Sequence, residues 1–450
     1  MMKVTKFGGS SLASASQLEK VLHIMREDAT RKFMIVSAPG KRFAEDEKVT
    51  DLLIELGEAV LAGTDTTGFQ TKIMQRYQQI ADDLKLTDAI MEEIKAQLEK
   101  LLTLDVTSPE AYLDAVKSSG EDNHARLIAA YFNQAGLKAH YVNPLQAGMI
   151  VTNEPGNAQI LPQSYTKIAT LRQLNDIIVI PGFFGYTETG RICTFSRGGS
   201  DITGSIIANG VQASLYENFT DVDAIYAANP HIVSQPKEIA ALTYREMREL
   251  SYAGFSVFHD EALIPAFKAG IPVQVKNTNN PTAPGTTITT KRQAIDTPVV
   301  GIASDSGFCG IYIRKYLMNR EIGFGRHVLE ILEDCQLNFE HMPSGIDELT
   351  IILREDQLTE AVKATVLNRL KQELAVDEVK IQHHLALIMV VGEGMNHNVG
   401  ITAKAATSLA NAAINIEMIN QGSSEVSIMF GVKEADEKKA LQVIYQAFFD

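Results

Sequence analysis

Thr194-Phe195-Ser196-Arg197-Gly198-Gly199-Ser200-Asp201, taken up again by Phe219-Thr220-Asp221-Val222-Asp223, is the stretch on which the reading of this 450-residue chain turns. A short apolar run leads into Arg197, two glycines, a serine and an aspartate. Ile202-Thr203-Gly204-Ser205-Ile206-Ile207-Ala208 follows with helical spacing, so Ser200 or Asp201 is expected to cap a helix. A glycine pair lets backbone N–H groups close on an oxyanion, and a helix N-terminus favours negative charge. The segment reads as an anion site between a strand and a helix. The same residues also read as a turn with an ordinary cap.

Composition bounds the rest. A chain of 450 residues holds two or three domains, and 45% hydrophobic with 21% charged residues is that of an ordinary soluble protein. The formal net charge of −14 argues against nonspecific nucleic-acid binding, whose affinity rests on neutralising phosphates. Cys193, Cys309 and Cys335 are scattered without metal-ligand spacing and read as reduced thiols. No apolar run approaches the roughly 18 residues a membrane span needs, and Met1-Met2-Lys3-Val4 leads straight into a strand. A cytoplasmic protein with neither nucleic-acid nor membrane partner is expected.

Outward from the central stretch, Val4-Thr5-Lys6-Phe7 reads as a strand, Gly8-Gly9 as a turn, and Ser10-Ser11 as caps for a helix with Leu12, Leu18, Val21, Leu22 and Met25 on its apolar face. Phe33–Ser37 is a second strand, too apolar to be half exposed. Strand, glycine turn, helix, strand is the unit of an α/β domain with a largely parallel sheet between helices. Lys6 precedes its glycines, so this is neither a Walker A loop nor a dinucleotide fingerprint. Ala38–Lys48 reads as a mobile loop, and Thr50-Asp51 as a cap for a helix from Leu52. Residues 71–104 read as a helical insertion. Ser118-Ser119-Gly120 is expected to break a helix and leave Glu121 at a new helix start, held by the dipole or by a substrate ammonium. Further strands are expected at 139–142, 177–180, 213–216 and 270–275, with a boundary over Asn277–Lys291.

The remainder changes grammar. Strands at 299–303 and 310–313 precede two successive copies of strand, helix and paired strands, which point to two small α+β sandwiches of ferredoxin-like type. A duplicated module of this kind reads as a ligand-sensing attachment, or as a dimerisation module without a ligand. His383-His384 lack third and fourth metal ligands and read as surface polarity.

Lys6–Ser11, Ser196–Asp201, Thr220–Asp223 and Val391–Gly431, in this order, resemble the aspartokinases, which join an amino-acid-kinase domain to two C-terminal ACT domains. Val36–Lys41 and His341–Gly345 are most similar to the lysine-sensitive, single-function members of Gram-positive bacteria. The resemblance implies a catalytic domain over 1–293, with an aspartate-binding part to about 200 and a nucleotide-binding part beyond. It implies a first ACT domain over 315–384, nested within a second made of 299–314 and 385–450. No homoserine dehydrogenase module is expected after it.

The implied activity is transfer of the ATP γ-phosphoryl group to the β-carboxylate of L-aspartate, the first step of lysine, threonine and methionine biosynthesis. Both reactants are anions and the nucleophile is already a carboxylate. The task is alignment and charge stabilisation without a general base. By the resemblance Lys6 contacts the transferring group and Asp201 orients it. Gly8, Gly9 and Ser10 hold phosphate oxygens. Thr220, Asp221 and Tyr226 contact the nucleotide, with Mg²⁺ bridging its phosphates rather than held by a protein site. Arg197 takes the substrate α-carboxylate and Glu121 its ammonium, with Thr50, Phe183 and Ser200 lining the pocket.

Two cations of the family pattern are missing, at His231 and Ser256, and Lys276 is the expected replacement. Effector contacts are implied at Met318, Asn319, Arg320, Gly323, Phe324, Gly325 and Glu340, although Phe324 equally suits a core. Lysine, alone or together with threonine, is the implied effector. A homodimer, or a dimer of dimers through the ACT domains, is the implied assembly. A catalytically silent amino-acid sensor and an amino-acid kinase with another substrate are the alternatives.

Overall fold

The computed structural model describes residues 1–255, 258–259, 261–292 and 297–450. Two compact units divide the chain: 1–225 with 238–248 and 256–293 in the first, and 226–237 with 249–255 and 294–450 in the second.

The first unit is built on a sheet whose described strands number eight. Its strands are β1 (Lys3–Phe7), β2 (Arg31–Val36), β3 (Ala139–Tyr141) and β4 (Ile177–Pro181). The hairpin β5 (Phe184–Tyr186) and β6 (Ile192–Thr194) stands apart from it. It continues with β7 (Leu215–Thr220), β8 (Ala241–Thr243), β9 (Val273–Asn277) and β10 (Thr286–Thr289), and its order is β8-β10-β9-β7-β1-β2-β4-β3. Every pair is parallel except β9–β10. Central strands read as unbroken apolar runs because helices cover both faces. Phe33, Met34, Ile35 and Val36 are essentially without exposure.

The covering helices are α1 (Ala15–Glu27), α2 (Val49–Ala62), α3 (Thr67–Asp83), α4 (Asp88–Leu101), α5 (Pro109–Gln134) and α6 (Gly199–Gly210). The helical insertion resolves into α3 and α4, broken at Leu84–Thr87. One expectation fails instructively: Ser118-Ser119-Gly120 does not break a helix, for α5 runs through it. A Cβ on Gly120 would stand 3.0 Å from Ala38 Cβ and 3.1 Å from a Leu53 methyl. The small residues are there for close packing, not for a turn. Ser118 and Ser119 return their hydroxyls to the carbonyls of Ala115 and Val116, so the helix absorbs them.

The strand expected at 213–216 is displaced to 215–220. The boundary expected over 277–291 contains β10, which closes back antiparallel on β9.

The second unit carries a five-stranded antiparallel sheet, in the order β12-β11-β13-β15-β14, with β11 (Gly301–Arg314), β12 (Glu348–Arg354), β13 (Glu378–Val391), β14 (Met418–Gln421) and β15 (Ser427–Lys433). The two strands expected within 299–313 are one, β11, interrupted by a bulge between Asp305 and Phe308. It pairs with β13 along both halves and with β12 along its second half. The strand expected near 338–341 is only an isolated bridge between His341 and Ile352. Helices α7 (Phe324–Asp334), α8 (Glu360–Leu374), α9 (Ile401–Asn411) and α10 (Glu437–Phe449) complete the two modules.

Candidate active site

The site is assembled at the carboxyl ends of β1 and β7, where an open parallel sheet presents ligand-binding loops. β1 places Lys6 on the face that α6 covers. Its Nζ meets Asp201 Oδ1 at 2.7 Å, with both residues nearly buried. The neighbouring strand supplies Asn218, whose amide donates to the same carboxylate, while the Tyr216 hydroxyl donates to the Asp201 carbonyl at 3.3 Å. Asp201 is therefore not a cap. The N-cap of α6 is Gly198, in the left-handed region at φ +75° and without a side-chain bond, and the carboxylate is spent on Lys6 instead.

The segment before α6 is held from behind. Asp114 on α5, 1% exposed, accepts from Thr194 N–H and Thr194 Oγ1–H at 2.8 Å each, and from Gly156 N–H at 3.0 Å. That fixes the strand end from which Ser196, exposed Arg197 and Gly198 emerge. Phe183 sits in the left-handed region at φ +78°, strain of about 1–3 kcal/mol for a non-glycine residue. Its amide donates to Thr203 Oγ1 at 3.0 Å and its carbonyl accepts from Phe195 N–H at 2.8 Å. Its ring packs so closely on Gly199 that a Cβ there would lie 2.5 Å from Cδ2, and Gly182 stands as close to Ser200.

Beside the glycine turn lies a cavity of about 570 Å³, lined by Gly9, Ser10, Thr50, Glu121 and Asp221 together with residues of the loop 37–48. Glu121 comes from the middle of α5, so no helix-start dipole supports it. It is 6% exposed, and burial pushes its carboxyl up to about pH 8, opposed by backbone N–H groups of Ala38 and Glu121. Its Oε2 has no hydrogen-bond partner among the described residues. One turn on, fully buried His124 sets Nδ1 at 2.9 Å from the Ser37 carbonyl, and burial lowers its pKa to about 4, so the ring is a neutral donor.

The loop expected to be mobile is tied down. Gly40 N–H donates to the Gly9 carbonyl at 2.9 Å, and a Cβ on Gly40 would strike the Gly9 backbone. Asp46 takes Arg42 through Nε and Nη2 at 2.8 Å each and Arg76 at 2.7 Å, and these cations hold its carboxyl far below the ordinary range.

Thus the structure brings Lys6, Gly8, Gly9, Ser10 and Asp201 together, and sets Thr50, Glu121 and Asp221 around the adjoining cavity. Thr220 donates to Asp221 at 3.2 Å. Tyr226 is half-buried and belongs to the second unit. Lys276 does not join them. It lies within β9 rather than on a turn, in register with Phe219 and thence Phe7, whereas Lys6 registers with Asn218 and Val275. Alternation along strands puts it on the opposite sheet face, where Glu217, Arg31 and Lys3 surround it and burial lowers its pKa. Ser256 lies outside the described residues; His231 is exposed.

Sequence reasoning missed Asn218, Asp114, His124 and the Arg42–Asp46–Arg76 cluster. A polar Glu217-Asn218 pair inside an apolar strand was the available signal, since buried polar groups need partners.

Among the effector candidates in the second unit, Met318 and Phe324 are buried in the core formed with Val328, Ile331 and Leu332. Asn319, Arg320 and Gly323 are exposed and Gly325 half-buried. The Glu340 carboxylate already accepts from the Tyr252 hydroxyl, and burial raises its pKa.

Comparison with known proteins agrees with this architecture. Residues 1–277 match the amino acid kinase family and residues 388–448 an ACT domain. Aspartokinase 3 of Bacillus subtilis (strain 168) is 63% identical over 448 residues, covering 100% of this chain and 99% of that protein. The crystal structure of Clostridium acetobutylicum aspartate kinase superposes with a TM-score of 0.86 at 39% identity, over 99% of this chain and 100% of that one. E. coli aspartokinase III in complex with lysine and aspartate (T-state) gives 0.79 at 25% identity, over the whole of both chains.

Proposed function

We infer the roles of individual residues from one premise: the chain belongs to the aspartokinases, within the amino acid kinase family. Its activity is ATP-dependent phosphorylation of aspartate, under ACT-mediated control. The observation that carries the assignment of the aspartate site is Glu121, a buried carboxylate with one oxygen unpartnered among the described residues, on the lining of the cavity beside the glycine turn.

Glu121 takes the substrate ammonium, which stabilises the ionised carboxylate that burial alone disfavours. Arg197 takes the α-carboxylate, its planar fork suiting a bidentate contact. Thr50, Phe183 and Ser200 line the remaining wall. Substrate so held presents its β-carboxylate toward Lys6, which Asp201, itself held by Asn218, keeps aimed. The fit for the nucleotide phosphates is good. A Cβ on Gly9 would stand 3.0 Å from the Ala38 carbonyl and 3.2 Å from the Gly40 Cα, so glycine here lets the loop close on the turn, whose backbone and Ser10 line the cavity. Thr220 and Asp221 make the remaining nucleotide contacts. ATP supplies the phosphoryl group, and Mg²⁺ bound with it would screen the phosphate charge.

Lysine is the effector we favour, because the E. coli enzyme is seen in complex with it. The exposed Asn319, Arg320 and Gly323 and the half-buried Gly325 are its contacts, in a homodimer or larger assembly joined through ACT domains 315–384 and 299–314 with 385–450. A cytoplasmic location follows from the soluble biosynthetic role; among the described residues no helix is long and apolar enough to cross a membrane.

The test is hydroxylamine trapping of the acyl phosphate, with ATP, Mg²⁺ and L-aspartate, with and without lysine. Aspartate-dependent hydroxamate that falls with lysine is expected. Hydroxamate indifferent to lysine overturns the effector assignment.

A further inference from the structure

The cavity at Glu121 must hold two anions in contact, and two of the cations around it are already committed. Lys6 is paired with Asp201 at 2.7 Å, and Arg42 makes a bidentate pair with Asp46. Lys41 is different. Its Nζ donates to the neutral Ala44 carbonyl at 3.2 Å, and among the described residues no carboxylate pairs with it.

Its position is nevertheless fixed. Gly40, immediately before it, is bonded to the Gly9 carbonyl and pressed so close that a Cβ would lie 2.5 Å from the Gly9 carbonyl carbon. Arg76 clamps the same loop twice, through Asp46 at 2.7 Å and through the Gly40 carbonyl. Lys41 therefore leaves the chain where the loop crosses the glycine turn, and it lines the cavity with Gly9, Ser10 and Glu121.

We propose that Lys41 is a further catalytic residue, whose ammonium bridges the aspartate β-carboxylate and the γ-phosphoryl group as one attacks the other. The proposal rests on reading this cavity as the aspartate site. In the step a carboxylate oxygen bonds to the γ-phosphorus, the bond to the β,γ-bridging oxygen breaks, and its electron pair leaves with ADP. Lys41 keeps its proton throughout. A compact ammonium with three donors suits a charge that moves from one oxygen to another, and it stabilises that charge where it develops.

Full-length Lys41→Met and Lys41→Arg are assayed by hydroxamate formation beside Lys6→Met. Lys41→Met is expected to lower kcat about 100-fold while the aspartate KM stays within about threefold, the signature of a contact made mainly in the transition state. Lys41→Arg is expected to recover to within about tenfold of the parent, because the charge is kept. A Lys41→Met kcat within threefold of the parent, with Lys6→Met inactive, overturns the role of Lys41 and leaves the site reading intact. Aspartate-dependent hydroxamate persisting in Lys6→Met overturns the site reading itself. Should Lys41→Met melt early, the arginine variant decides: activity supports the proposal, and loss equal to that of the methionine variant overturns it.

Discussion

In the first unit, parallel strands β1 and β7 deliver Lys6 and Asn218 to one sheet face, and α6 meets them with Asp201, so the site charges have partners before any ligand arrives. In the second unit, β11 and β13 are antiparallel strands of 14 residues each that run through both ACT modules, and the residues expected to meet the effector are divided between core and surface. A parallel sheet gathers its loops at one end and leaves the polar residues there free for ligands. An antiparallel sheet covered by helices on one side commits its inward residues to packing. Residues at parallel strand ends are brought together by the sheet itself, whereas the apolar residues of a loop have a second use in a core.

The strongest way to break the comparison is at Lys6. Lys6→Met is expected to lower kcat by about a thousandfold or more, read by hydroxamate formation. Retained activity would mean that the partnered charges of the first unit are structural, like those of the second.

Glu121 sharpens it next. Glu121→Gln is expected to raise the aspartate KM about 10- to 100-fold, the worth of a buried hydrogen bond to a charge. The pH dependence has a definite sign. The folded protein holds this proton to about pH 8, whereas the unfolded chain releases it near 4.5. Between those values the folded state binds more protons, so this group's contribution to stability falls as pH rises. An ammonium needs the ionised form, so aspartate affinity is expected to rise about tenfold per pH unit up to about 8 and then level off. Titration calorimetry across pH checks the affinity and chemical denaturation across pH the stability, each expected to lose this pH dependence in Glu121→Gln.

In the second unit, Phe324→Leu is expected to cost about 1–3 kcal/mol, as a large-to-small change in a core, with the half-inhibitory lysine concentration within threefold of the parent. Arg320→Ala is expected to raise that concentration about tenfold, which is about 1.4 kcal/mol. The reverse pattern would show Phe324 to be the ligand contact. The smallest effect is expected at Glu355, whose carboxylate takes His383 Nδ1 at 2.6 Å and His384 N–H at 3.1 Å beside the β11–β13 bulge. Glu355→Gln is expected to cost about 0.2–1 kcal/mol by chemical denaturation, the worth of a part-exposed pair.

Much of the fold was legible because its signals are local. Phe33–Val36 is too apolar for anything but a central strand, and Lys6-Phe7-Gly8-Gly9 marks a strand end and its turn. The break expected at Ser118-Ser119-Gly120 failed because small residues have two uses, turning a chain and letting another element approach. Only Ala38 and Leu53, remote in sequence, show which use applies. Lys276 failed for a related reason. Its distance from the glycines along the chain says nothing about sheet face, which register with β7 decides.

What the sequence determined by itself was the kind of chemistry: a lysine before a glycine turn, an arginine and an aspartate about a second glycine pair, and a duplicated module behind them. These are properties of short stretches, whose backbone freedom and charge do not depend on distant partners. The tertiary structure alone decided the state of each group. It made Asp201 an ion-pair partner rather than a cap, raised the Glu121 pKa by burial, tied down the loop bearing Lys41 through Asp46 and Arg76, and withdrew Phe324 into a core. Desolvation and pairing depend on which atoms surround a group, and those atoms come from segments far apart in the chain.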